Sequence, residues 1–334
     1  KNMQTIHRIE SLQGCRHLQP LCIVSYFLTE NLLKNTPDVP NVSYLLEPNG
    51  RNTAPAIALA VRHIQKEYGD EAICFVLAAD HLIYDDLEFQ KSVVKAIEHA
   101  NYDNLVVFGI RPTGPETGYG YLEISAQGDG PQPLKRFVEK PDLASAENYF
   151  YDKHYYWNSG MFCFSSGVMA ENMATYAGDV WMASKVVFSN AEKVNNITRF
   201  DENDFIALPD ISIDYAVMEK AKKIIVVPAD FGWSDIGSWD SLASLHAADD
   251  WGNSRSSNEK LYLFETRNTY VESTSNTKKV IATIGVDNLL VIDTPDALLV
   301  ADRSKSQDVK LVVEALIASS ESQLTELPAT VQRP

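Results

Sequence analysis

Two aspartates far apart in the chain carry the side chain that chemistry on phosphates needs. Asp80 closes the apolar run Phe75-Val-Leu-Ala-Ala-Asp-His-Leu-Ile83, and Asp235 lies between glycines and aromatics in Phe231-Gly-Trp-Ser-Asp-Ile-Gly-Ser-Trp239. A bounded apolar run of this length reads as a buried strand of a parallel sheet. Open α/β sheets bind ligands at the carboxyl ends of their strands. A carboxylate at that edge can hold a divalent cation. Mg2+ takes hard oxygen ligands, usually one or two carboxylates plus substrate phosphates. The spacing predicts that Asp80 and Asp235 meet across one site and hold one cation between them. Alone, each aspartate is as well read as a turn or cap residue. His81 has no second histidine at metal-ligand spacing and reads as a hydrogen-bonded turn residue.

Other stretches offer polar groups suited to a small anionic ligand. Gly50-Arg-Asn-Thr-Ala-Pro55 places Asn52 and Thr53 at a helix start, where side-chain and backbone donors suit a base edge or a phosphate. The same residues make an ordinary N-cap. Glu139-Lys140-Pro141 sets an acceptor for a hydroxyl beside a point charge for a phosphate, or else a surface ion pair. Gly118-Tyr-Gly120 allows backbone to approach a ligand closely. Trp157-Asn158-Ser159-Gly160 adds an amide and a hydroxyl beside an aromatic ring. Turns use the same residues. The nucleophile motif G-x-S-x-G, the zinc motif H-E-x-x-H and the P-loop G-x-x-x-x-G-K-[ST] do not occur.

The elements that must position these groups follow from periodicity. Ile6, Ile9 and Leu12 suggest a first helix, and Leu21–Phe27 a strand. Strand Val42–Leu46 leads to a helix with Ile57, Val61 and Ile64 on one face. Strand Ile73–Ala79, a helix near Glu88–Ala100 and strand Leu105–Ile110 follow, and this alternation predicts a parallel sheet covered by helices. Shorter strands are expected at Tyr121–Ile124, Leu134–Glu139, Met161–Phe164 and Lys223–Pro228, and Ser212–Glu219 reads as a capped helix. After a polar stretch at Ala247–Glu259, short β runs at Leu261–Phe264, Lys279–Ile284, Leu289–Asp293 and Ala297–Ala301 precede a helix over Gln307–Ala318. No strict internal repeat is evident.

Composition narrows the classes. The 334 residues are enough for one large and one small domain, and 45% hydrophobic residues provide a sizeable core. The formal net charge of −16, from 45 acidic and 29 basic residues, argues against nucleic acid or an anionic membrane as partner. Cys15, Cys22, Cys74 and Cys163 show no C-x-x-C spacing and read as reduced thiols. No run approaches the ~20 apolar residues of a membrane span, and the start lacks a signal-peptide pattern. A cytoplasmic protein is the expectation.

Taken together and in order, the motifs resemble the mannose-1-phosphate guanylyltransferases of the sugar nucleotidyltransferase superfamily. The matching pieces are Glu47-Pro-Asn-Gly-Arg-Asn-Thr-Ala-Pro55, Ala78-Ala-Asp-His81, Glu116-Thr-Gly-Tyr-Gly-Tyr121, Phe137-Val-Glu-Lys-Pro141, Tyr156-Trp-Asn-Ser-Gly-Met161, Ser212-Ile-Asp-Tyr-Ala-Val-Met-Glu219 and Gly232-Trp-Ser-Asp-Ile-Gly-Ser-Trp239. The resemblance implies an α/β fold. A glycosyltransferase-A-like mixed sheet flanked by helices would occupy residues 1–250, and a small left-handed β-helix-like domain residues 255–320. It implies a homodimer that makes GDP-mannose and pyrophosphate from GTP and α-mannose 1-phosphate with Mg2+. Asp80 and Asp235 then resemble the metal ligands. Glu139, Lys140, Gly120, Asn158 and Asp214 resemble sugar and sugar-phosphate contacts, and Asn52 with Thr53 the guanine-side loop. The family's opening loop G-G-x-G-[ST]-R-L-x-P-L-S-R does not occur in this sequence. Its absence implies impaired turnover and an unfilled strand slot in the central sheet. Other readings are a non-catalytic sugar-nucleotide-binding homologue and a pyrophosphorylase for another nucleotide and hexose.

Overall fold

The computed structural model describes residues 20–25, 42–78, 80–126, 128, 130–256, 260–275 and 279–319. It divides into two compact units between Trp233 and Ser234. The expected first helix around Ile6–Leu12, and Cys15, lie outside the described residues.

The first unit opens with β1 (Leu21–Ser25), β2 (Ser43–Glu47), α1 (Thr53–Tyr68), β3 (Ile73–Val76), β4 (Leu82–Ile83) and α2 (Asp86–Ala100). It continues with β5 (Leu105–Ile110), β6 (Tyr121–Ile124), β7 (Gln132–Val138), α3 (Leu143–Tyr151), β8 (Tyr155–Ser165), α4 (Ser166–Tyr176) and α5 (Gly178–Ser189). β9 (Glu192–Val194), β10 (Ile197–Arg199), α6 (Glu202–Ile206), a π-helical turn (Asp214–Met218) and β11 (Ile224–Ala229) complete it. Six strands form one sheet in the order β3-β8-β5-β11-β7-β6, and four form another in the order β1-β2-β10-β9.

The alternation of side chains along β5 explains the layering. Val107 packs with Ala54, Ile57 and Val61 of α1, whereas its neighbours Val106 and Phe108 pack with Phe89, Val93 and Ala96 of α2. Successive strand residues point to opposite faces, so the two helices cover opposite faces of the sheet. All six residues of β5 are buried, as expected of a strand covered on both sides. Phe108 is fully buried, and truncating it to Ala costs about 3–5 kcal/mol in lost transfer energy and cavity. The helix starts are capped as their sequences suggest: Asn52 accepts from Thr53 N, and Asp85 from Leu87 N and Glu88 N.

Three expectations are corrected. β3 does not lie in a parallel ladder: its described partner, β8, runs antiparallel to it, while β5 and β11 are parallel. The sheet is therefore mixed. β8 is an eleven-residue strand rather than a short one after a turn. The apparent turn at Asn158–Gly160 is an irregularity inside it. Val107 faces Phe162 but Gly109 faces Asn158, and the extra β8 residues are absorbed where Gly160 takes φ +69°. The Ser212–Glu219 segment is a single wide turn of π type starting at Asp214, not an α-helix.

The two residues Trp233–Ser234, here β12, straddle the division. The second unit then holds α7 (Trp239–Ala243), β13 (Ser254–Arg255), β14 (Lys260–Phe264), β15 (Tyr270–Ser273), β16 (Val280–Ile284), β17 (Leu289–Asp293), β18 (Leu298–Asp302) and α8 (Val309–Ala318). Parallel ladders pair Leu261 with Ile281 and Tyr270 with Leu290, each twenty residues apart. This is a β-helix-like coil, and its period is a repeat that the residue types conceal. Left-handed corners recur at the same spacing: Glu265 and Gly285, Asn268 and Asn288 all have positive φ. Strand β15, which the sequence reading omits, is the middle rung. Its Tyr270 is buried with Leu290, Ile292 and Ala243. The buried Asn253 side chain donates to Thr266 O and accepts from Thr269 N, closing one corner. Among the described residues, no helix is long and apolar enough to cross a membrane.

Candidate active site

Five of the expected ligand-binding residues come together in the first unit. Gly120 precedes β6, Glu139 and Lys140 follow β7, Asn158 lies in β8, and Asp214 opens the π-helical turn. Asn158 N donates to Gly120 O at 2.8 Å, and Asn158 Nδ2 donates to Asp214 Oδ1 at 3.0 Å. Lys140 N donates to Tyr119 O at 3.2 Å, and Glu139 N to Glu219 Oε1 at 3.3 Å. Lys140 has φ +47°, a conformation uncommon for a non-glycine residue. That turn leaves its side chain more than half exposed while Glu139 is 9% exposed, with 3.5 Å between the Lys140 ammonium and Glu139 Oε1. The Lys140 ammonium thus pairs with the Glu139 carboxyl while much of it stays in solvent.

Close approach explains Gly120. A Cβ there would sit 2.5 Å from Glu139 Oε2, 3.2 Å from Phe137 Cε1 and 3.3 Å from Asn158 Cβ. The carboxyl of Glu139 is packed against the bare backbone, and its Oε2 is buried with no hydrogen-bond partner. Burial first, then the nearby Asp214 charge, push the Glu139 carboxyl up to about 7, with Lys140 opposing. Burial also raises Asp214, with Asn158 and Lys140 pulling the other way.

The Asn52–Thr53 loop joins the same neighbourhood through the backbone. Thr53 Oγ1 accepts from Ile213 N at 2.8 Å, and Ala54 N donates to Ile211 O at 3.1 Å. Thr53 thus braces the residue next to Asp214. Asn52, at φ +63°, uses its side chain to cap α1. Two neighbours of this loop escape the sequence reading. Glu47 Oε1 and Arg51 Nε are buried without partners, and burial pushes the Glu47 carboxyl up to about 7. Both belong to the Glu47–Pro55 motif, so their place in it was the available signal.

An aromatic chain links the turn after β3 to this region. Trp233 Nε1 donates to His81 Nδ1 at 3.1 Å, with the rings edge to face. Tyr119 stands edge-on to Trp233 at 5.5 Å and to Trp157 at 5.0 Å. The sequence reading of His81 as a hydrogen-bonded turn residue agrees with this. Asp80, exposed, belongs to the first unit. Asp235 belongs to the second, is partly buried, and accepts from Gly237 N at 3.0 Å. Among the described residues no three His, Cys, Asp or Glu side chains form a metal-binding group. A carboxylate is a hard oxygen donor of the kind Mg2+ takes beside substrate oxygens.

The comparisons follow this layout. The nucleotidyl transferase family model matches residues 6–250, and the MannoseP isomerase/GMP-like beta-helix domain matches residues 262–316. The chain is 37% identical over 330 residues to the mannose-1-phosphate guanylyltransferase of Klebsiella pneumoniae, covering 97% of this chain and 69% of that one. It is 41% identical over 281 residues to the xanthan biosynthesis protein XanB of Xanthomonas campestris pv. campestris, covering 84% of this chain but only 58% of the relative. A crystal structure described as mannose-1-phosphate geranyltransferase, from Thermus thermophilus, superposes with a TM-score of 0.78 at 31% identity, covering 94% of this chain and 88% of that one. On these matches the chain belongs to the nucleotidyl transferase family, alongside the mannose-1-phosphate guanylyltransferases.

Proposed function

We propose that the protein transfers GMP from GTP to α-D-mannose 1-phosphate, releasing pyrophosphate and forming GDP-mannose. The carrying observation is the turn after β7, where the exposed ammonium of Lys140 stands beside the buried carboxyl of Glu139 and the bare backbone of Gly120. In this reading Lys140 draws the sugar phosphate to the turn. Glu139, Asn158 and Asp214 present acceptors and an amide to the sugar hydroxyls. Asn52 and Thr53 border the guanine side. A phosphate oxygen attacks the α-phosphorus of GTP and the bond to pyrophosphate breaks. No general base is required, because the attacking oxygen is already ionised near neutral pH. The residues therefore act by positioning and by balancing charge.

Asp80 and Asp235 would hold Mg2+, which when bound offsets the repulsion between the two anions. Asp235 lies two residues along the chain from Trp233, whose indole is bound to His81, the neighbour of Asp80. A homodimer is the proposed assembly, supported by the exposed apolar side chains Phe264, Ile284 and Leu298 on the coil strands. The free thiols of Cys22 and Cys74 support a cytoplasmic setting.

The test is a matrix of nucleoside triphosphates against hexose 1-phosphates with Mg2+, reading pyrophosphate and nucleotide sugar. The reading requires GTP with mannose 1-phosphate to exceed every other pair by about tenfold or more in kcat/KM. Preference for another pair overturns it. Binding of GDP-mannose without any turnover would instead mark a binding protein. Asp80→Asn and Asp235→Asn should each abolish metal-dependent nucleotide binding with the fold retained.

A further inference from the structure

Trp233 is absent from every set of residues so far assigned to ligand, yet His81 and Tyr119 both meet its indole. An indole N–H only donates, so the bond from Trp233 Nε1 to His81 Nδ1, 3.1 Å between part-buried groups, requires that Nδ1 be unprotonated. Neutral His81 then carries its proton on Nε2. The bond also pins the His81 ring. A Cβ on Gly160 would lie 3.8 Å from His81 Cε1, in ordinary contact. The imidazole is held between the indole and the irregular stretch of β8, two residues beyond Asn158. His81 is covalently next to Asp80, so fixing the ring fixes the turn that carries that carboxylate.

The other edge of Trp233 faces Tyr119 at 5.5 Å, and the carbonyl of Tyr119 accepts the Lys140 amide. Backbone bonds hold the indole in place: Tyr84 N and Asp85 N both donate to Phe231 O. Gly232, at φ +64°, passes so near Tyr84 that a Cβ would lie 2.9 Å from the Tyr84 Cβ. The segment before Trp233 is therefore laid tightly on the turn that follows His81.

We propose that Trp233 is a positioning residue for the divalent ion. Its N–H selects one His81 tautomer and holds the Asp80 turn, so ion affinity depends on a side chain that offers the ion no ligand. This rests on the proposed role of Asp80 as a ligand of that ion.

Trp233→Phe keeps an aromatic ring and removes the N–H. Mn2+ binding measured by electron paramagnetic resonance with GTP present should weaken about three- to tenfold, the usual worth of one hydrogen bond. In nitrogen-15 spectra, His81 should show one tautomer protonated on Nε2 in the wild type and a mixture in Trp233→Phe. His81→Ala should weaken Mn2+ binding by a similar factor. His81→Asn, which keeps an acceptor near the Nδ1 position, should stay within about twofold of wild type. Wild-type affinity in Trp233→Phe with an unchanged tautomer overturns the inference; so does an equal loss in His81→Asn and His81→Ala. Should Trp233→Phe not fold, the two His81 variants decide. Failure of the wild type to bind Mn2+ with GTP overturns the proposed function itself, whereas wild-type binding matched by the variants overturns only this inference.

Discussion

The side-chain amide of Asn158 donates to the carboxylate of Asp214 at 3.0 Å, tying the irregular part of β8 to the π-helical turn fifty-six residues downstream. The Asn158 Oδ1 simultaneously accepts from Gly160 N at 3.2 Å. One side chain thus sets the conformation of the strand and supplies a donor to a buried acid. Its removal leaves Asp214 more desolvated than compensated. Asn158→Ala should lower stability by about 1–3 kcal/mol, read as a shift in the urea midpoint. Unchanged stability would mean that Asp214 finds another donor.

Gly120 has no room for a side chain. A Cβ there would meet Glu139 Oε2 at 2.5 Å and Phe137 Cε1 at 3.2 Å. Gly120→Ala should displace the Glu139 carboxyl and cost about 1–3 kcal/mol from overpacking. Calorimetric affinity for mannose 1-phosphate should fall in parallel. A variant that binds as wild type would remove Glu139 from the sugar site.

Two buried glutamates give stability a pH dependence of known sign. Folding pushes the carboxyls of Glu47 and Glu139 up to about 7, through burial in both and the Asp214 charge at Glu139. A carboxyl whose pKa rises on folding holds its proton longer in the folded state. Its contribution is complete below the unfolded value near 4.5 and is lost as pH rises through about 7. Glu47→Gln removes one such titration. Against the wild type, the variant should gain stability as pH rises from 4.5 to about 7 and level off above that. Parallel unfolding midpoints across that range would contradict the burial argument.

Thr53 joins the loop before α1 to the π-helical turn through one hydroxyl, which accepts from Ile213 N at 2.8 Å. Thr53→Val preserves shape but leaves that N–H without its acceptor, at a cost of about 1–3 kcal/mol. Thr53→Ser restores the hydroxyl and should recover most of the loss. Chemical denaturation of both variants checks the pair, and equal destabilisation would attribute the effect to packing.

Much of the frame was legible from residue types. The strand at Tyr121–Ile124 and the strand at Leu289–Asp293 have their expected bounds, because turn residues flank each apolar run. α2 was visible because Phe89, Val93 and Ile97 keep one helical period, and β5 because it is a bounded, continuous apolar run. Strand Tyr270–Ser273 was not, because its short sequence Tyr-Val-Glu-Ser gives too few alternations to count. The helices α4 and α5 carry glycine, serine and methionine on faces that only packing makes consistent.

The sequence by itself determined which residues could do chemistry and the order in which they occur, because side-chain type and motif spacing are written in the chain. The strand-length apolar runs alternating with helix-period runs also marked the α/β class, though not that the sheet is mixed. Folding alone brings Gly120, Glu139, Lys140, Asn158 and Asp214 to one place, pairs β3 antiparallel with β8, and sets the Trp233 indole on the His81 ring. Those outcomes depend on pairing between segments up to 152 residues apart. Local preference carries no information about such partners; the free energy of closing and packing the whole sheet selects them.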